Sequence, residues 1–74
     1  MSHLAEKVRS RPRLPAPAMA RAIRLAAGVT QDDMARELEV HRVSITRWEA
    51  GRRRPRGALA GAYAQLLDEL RELT

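Results

Sequence analysis

Apolar residues recur at helical spacing in four stretches of the chain. Met19, Ala22, Ile23 and Ala26 share one face of a first helix expected over residues 18–27. Pro17 suits the opening turn, where no N–H is needed, and Gly28 is a stop signal at the far end. Met34, Ala35 and Leu38 mark the inner face of a second helix over 31–38. Ile45 and Trp48 do the same for a third over 42–49 or 50, with Val40 anchoring its start and Gly51 ending it. Leu59, Tyr63, Leu66, Leu70 and Leu73 are spaced 4-3-4-3 in a last helix over 58–73, with Ala62 and Leu67 beside them. The pattern predicts an all-α fold of four to five helices.

The polar residues between these stripes supply the punctuation. Thr30 is a helix N-cap, and Asp33 three residues on completes a capping-box pattern. Asp32 and Asp33 suit the positive end of the helix dipole, and Asp32 is spaced to pair with Arg36. Glu39, Val40 and His41 form a tight turn. Residues 30–51 therefore read as two short helices joined by a turn, the stretch around which the chain is organised. Ahead of them, residues 1–17 form a separate segment. Leu4, Ala5 and Val8 could make a short helical stripe, and Arg9 to Pro17 then holds three prolines and three arginines, which favour extended backbone. The expected organisation is a basic arm or short helix over 1–17 and a domain over 18–74.

Charge sharpens this picture. The net charge is +5, and it is placed unevenly. One basic block is Lys7, Arg9, Arg11 and Arg13. The other is Arg42, Arg47, Arg52, Arg53, Arg54 and Arg56, interrupted only by Glu49. All basic residues but Lys7 are arginine, whose planar fork suits phosphate and guanine. The last 18 residues are net acidic. Arg42, Val43, Thr46, Arg47 and Ala50 share the outer face of the third helix. An exposed valine between two arginines is odd on a merely solvated face, but it fits against a thymine methyl. Arg52, Arg53, Arg54 and Arg56 are placed to neutralise phosphates. Arg9, Arg11 and Arg13 could add contacts from the arm.

Other chemistries are excluded or disfavoured. There is no cysteine, hence no disulfide or thiolate metal site, and His3 and His41 are too far apart in sequence to suggest a metal site. No cofactor is expected. Ser2, Ser10 and Ser44 have no neighbouring His/Asp constellation to activate them, and Tyr63 sits on an apolar helical face, so no enzyme is expected. Trp48 and Tyr63 are the only aromatics, too few for a base-stacking platform. No apolar run approaches the roughly 20 residues that span a bilayer, and no signal-peptide core follows the N-terminus. A cytoplasmic location is expected by default.

Arg24, Gly28, Val29, Thr30, Gln31, Met34, Ala35, Leu38, Val40, Ile45, Trp48, Glu49, Gly51 and Pro55 together resemble the helix-turn-helix of phage repressors and Cro proteins, the large Cro/repressor-like (XRE) class. The likeness runs without a gap from Met19 to Pro55. It implies a repressor-like DNA-binding domain in which the third helix enters the major groove. The positions of Arg42, Val43 and Arg47 then face base edges. Gln31 holds a phosphate or the first side chain of the recognition helix, and His41 and Ser44 meet the DNA backbone. Arg24 and Glu49 match an ion pair joining the first and third helices. The family usually has Gly where this chain has Glu39, and Ser or Thr as the cap where it has His41, so the turn is expected to be less stable than usual.

The resemblance implies a small phage- or prophage-type regulator acting on double-stranded DNA, with two copies paired through the last helix on a near-palindromic operator. Leu70 and Leu73 lie at the chain end and need a cover, either from such a partner or from Leu4 and Val8. No small-molecule ligand and no membrane partner is expected. Two alternatives stay open: an antitoxin that binds both an operator and a toxin protein, and an excisionase-like factor that bends DNA.

Overall fold

Pro17 opens the first helix of the computed structural model, which describes residues 13–74. The helix, α1, is Pro17–Ala26; α2 is Gln31–Leu38, α3 Arg42–Glu49 and α4 Gly57–Leu73. No strand occurs among the described residues. Leu14 packs against the core ahead of α1, so the folded unit already includes the end of the segment expected to be an arm. Residues 1–12, including Leu4, Val8, Arg9 and Arg11, lie outside the described residues.

The first three helices close in the same way. At the end of α1 the Gly28 N–H donates to Leu25 O (3.0 Å) and the Val29 N–H to Arg24 O (3.2 Å). At the end of α3 the Gly51 N–H donates to Trp48 O (3.2 Å) and the Arg52 N–H to Arg47 O (2.9 Å). Both glycines have positive φ, 70° and 73°, as this paired closure requires. At the end of α2 the Glu39 N–H reaches Arg36 O (3.2 Å) and the Val40 N–H reaches Ala35 O (2.9 Å). There the left-handed residue is Glu39, φ 56°, the only non-glycine with positive φ among the described residues. The strain expected at this position is present.

The start of α2 is a complete capping box. The Asp33 N–H donates to Thr30 Oγ1 and the Thr30 N–H to Asp33 Oδ2, both at 3.0 Å. The second bond, with the Thr30 hydroxyl behind it, holds the Asp33 carboxyl below its ordinary range. Arg36 pairs with Asp33 (3.1 Å), three residues back, and not with Asp32. At the start of α3 the Val43 N–H donates to His41 Nδ1 (3.2 Å), so His41 caps the helix through its ring.

The core is Ala20, Ile23, Met34, Ala35, Ile45, Trp48, Tyr63, Leu67 and Leu70. The Trp48 and Tyr63 rings meet tilted at 44°, with centroids 4.9 Å apart. Helices α1 and α2 each pack on α3 and on α4. Two expectations are corrected. The inner face of α1 is Ala20, Ile23 and Arg24, while Met19, Ala22 and Ala26 are exposed. Arg21 and Arg24 mark one side as polar by spacing, but Arg24 is buried by its pairing with Glu49 of α3, which turns the inner face toward it. On α4, Leu67 is fully buried and Leu70 is only 8% exposed, covered within its own chain; Leu73 is 81% exposed. Leu70 therefore needs no second subunit.

Candidate nucleic-acid interface

The geometry of α3 is set from its buried side. Ile45 and Trp48 fix it in the core, and Glu49, one residue on, is buried with them. A buried carboxylate needs a partner. Arg24 supplies it with two near-parallel bonds, Nε to Oε2 (2.6 Å) and Nη2 to Oε1 (2.9 Å). The remaining Arg24 nitrogen, Nη1, donates to Val29 O (2.9 Å). Burial pushes the Glu49 carboxyl up, but the bonds from Arg24 and Gln31 and the charges of Arg24 and Arg21 outweigh it and hold the carboxyl below its ordinary 4.5. The bond to Glu49 raises the Arg24 guanidinium in turn, despite its burial. The ion pair expected between the first and third helices is thus present, and it ties the end of α1 to the end of α3.

Gln31 extends this clamp to the outer face. Its Nε2 donates to Glu49 Oε1 (3.1 Å), and its Oε1 accepts from the Thr46 hydroxyl (2.9 Å). The resemblance offers Gln31 a phosphate or the first side chain of the recognition helix; within the chain it binds Thr46 and Glu49 and not Arg42. Its partners are 18 and 15 residues away, and no local pattern marks them.

Arg42, Val43, Thr46 and Arg47 all lie exposed on the opposite side of α3, with Val43 42% exposed. Arg42 Nε stands 3.8 Å from Asp32 Oδ1, a loose and solvated pair that leaves the guanidinium fork accessible. His41 is exposed and Ser44 half-buried at the same end. Because His41 Nδ1 accepts the Val43 N–H, the neutral ring carries its proton on Nε2. Beyond α3, Arg52, Arg53, Arg54 and Arg56 are all exposed. With Ser44 and Arg47 they line a groove of about 750 Å³. Arg13 is exposed as well; Arg9 and Arg11 fall outside the described residues. Among the described residues no group of His, Asp or Glu could hold a metal ion, and no helix is long and apolar enough to cross a membrane.

Two short helices held at a fixed angle, the second with a basic outer face, define a helix-turn-helix. Residues 21–73 match the helix-turn-helix family. The chain belongs to that family, as a Cro/repressor-like DNA-binding protein of the XRE class. No curated protein and no solved structure matches it.

Proposed function

We propose that the protein reads double-stranded DNA sequence-specifically with α3 and acts as a small phage- or prophage-type transcriptional regulator. One observation carries this reading. Arg42, Val43, Thr46 and Arg47 form an exposed face on a helix whose other face is locked by a buried ion pair. Arg42 and Arg47 then read guanine O6 and N7, and Val43 and Thr46 contact base edges between them. His41 Nε2–H, Ser44, Arg52, Arg53, Arg54 and Arg56 meet phosphates, and Arg9, Arg11 and Arg13 are candidates for further contacts from the arm. Gln31 supports this face from behind, through its bond to Thr46.

Pairing of two copies on a near-palindromic site is part of this reading. With Leu70 buried, the large apolar side chains that α4 still presents are Leu73 and the half-buried Leu59 and Leu66, too little apolar surface for a stable solution dimer. The copies meet on the operator, where neighbouring half-sites supply the effective concentration.

Selection of bound sequences from random DNA tests the whole reading. It is expected to return a guanine-containing half-site, repeated in inverted orientation about one helical turn apart. Equal recovery of all sequences would overturn it.

A further inference from the structure

The bonds around Gln31 fix more than a helix angle. Glu49 is a buried carboxylate, so it accepts only. It therefore takes the NH2 end of the Gln31 amide, at 3.1 Å. The reverse amide orientation would set a carbonyl oxygen against that charge. The carbonyl end must then face Thr46, and at 2.9 Å it accepts the hydroxyl proton. The Arg42 carbonyl, 3.3 Å from the same hydroxyl, competes for that one proton. Thr46 is exposed on the outer face yet has no donor left to offer a base. Its oxygen can still accept, and the other group it presents on this face is its methyl. Val43 is three residues earlier on the same face and 42% exposed. Residues so spaced have Cβ atoms about 5–6 Å apart.

We propose that Gln31 is a positioning residue which, by binding the Thr46 hydroxyl, makes Thr46 and Val43 a single apolar reader of the pyrimidine 5-methyl group in the major groove. The inference rests on the DNA-reading function proposed above and names its specificity between the two arginines. Thymine is the base that carries this methyl there. Gln31 in this role serves the recognition helix and does not clamp a phosphate.

The test uses the full chain and duplexes of the selected site in which each thymine in turn is replaced by uracil. The readout is the ratio of Kd for the uracil and thymine duplexes, measured on the same protein, so that changes in folding or overall affinity cancel. The wild type should bind about fourfold more weakly when the methyl facing this patch is removed. Thr46→Ser keeps the hydroxyl and loses the methyl, and should bring that ratio toward one. Thr46→Val keeps a methyl and should retain the penalty. Gln31→Met keeps the bulk but leaves the hydroxyl only the longer bond to the Arg42 carbonyl, which no longer fixes the methyl from α2, and should shrink the penalty. A full uracil penalty in either Thr46→Ser or Gln31→Met, or none in the wild type, would overturn the assignment. A wild-type protein that selects no sequence at all would instead overturn the function on which it rests.

Discussion

The two faces of α3 are built from the same eight residues by opposite rules. On the inner face, Ile45 is fully buried, Trp48 is 7% exposed, and Glu49 has both carboxylate oxygens bonded. On the outer face, Arg42 has one loose partner, and no hydrogen bond or ion pair of the Arg47 side chain occurs among the described residues. The inner face spends its groups on the fold, and the outer face keeps them for another molecule. Thr46 sits between the two, exposed to solvent but tied inward through Gln31. A change on the inner face should therefore cost stability, and a change on the outer face only binding.

The sharpest way to break this contrast is to remove one member of the ion pair. Glu49→Ala leaves Arg24 buried without its partner and should cost about 3–5 kcal/mol. A chain of this size has only about 4–11 kcal/mol in all. Arg24→Ala should cost a similar amount, and the double variant less than the two added together, as denaturation midpoints in a double-mutant cycle would show. Acid probes the same pair. The Glu49 carboxyl is lower in the folded state than its ordinary 4.5, so its contribution is present above that pH and is lost as pH falls below it. Glu49→Gln should flatten this part of the stability profile.

On the outer face, Arg47→Ala and Arg42→Ala should each weaken binding to the selected site by about 1–3 kcal/mol and relax base preference at one position. Their unfolding midpoints should stay within about 0.5 kcal/mol of wild type. Uniform loss of affinity on all DNA would make them phosphate ligands. A lowered midpoint would erase the contrast between the faces.

Glu49 also shows what the residues disclosed beforehand. As the only acid in a run of arginines, it called for a reason, and the buried pair supplies one. Gly28 and Gly51 announced two helix ends because the closure needs positive φ. The buried side of α1 was misread because Arg24, whose charge marks a solvent face by pattern, is buried by its pairing with Glu49. Leu70 misled because spacing tells which residues share a face and not which neighbours cover it. Gln31 was half legible: the resemblance allowed it a tie to the recognition helix, but Thr46 and Glu49 become its neighbours only once α2 and α3 are packed, and the pairing of Arg36 with Asp33 depended on side-chain geometry finer than sequence spacing.

The turn between α2 and α3 joins the two regimes, and Glu39 is its weak point. A side chain in the left-handed region costs about 1 kcal/mol that glycine avoids. Glu39 is exposed, and no hydrogen bond or ion pair of its side chain occurs among the described residues to offset that cost. Glu39→Gly should raise the denaturation midpoint by up to about 1 kcal/mol, less the entropy that glycine adds to the unfolded chain. A lower midpoint at unchanged slope would mean that Glu39 makes a compensating contact. Binding to the selected site should not change, since the turn already holds the required conformation.

The smallest effect is expected at Tyr63, where the inner-face rule has an exception. Its ring is 3% exposed and packs on Trp48, but its hydroxyl has no hydrogen-bond partner among the described residues. Burial pushes the phenol up to about 12, with the nearby Glu49 charge adding to the rise and Arg24 opposing it. A buried hydroxyl without a partner gives up its hydration and gains nothing in return, at a cost of about 1–3 kcal/mol if the site is dry. Tyr63→Phe keeps the ring and its contact with Trp48 while removing that cost, so it should be neutral or stabilising by up to about 1 kcal/mol. Tyr63→Leu would lose the aromatic contact and should destabilise. Unfolding midpoints of the two variants separate the hydroxyl from the ring. If Tyr63→Phe lowered the midpoint by more than about 1 kcal/mol, the hydroxyl would have a bound water as its partner. Every polar group buried behind α3 would then be satisfied, with no exception to the rule that governs its inner face.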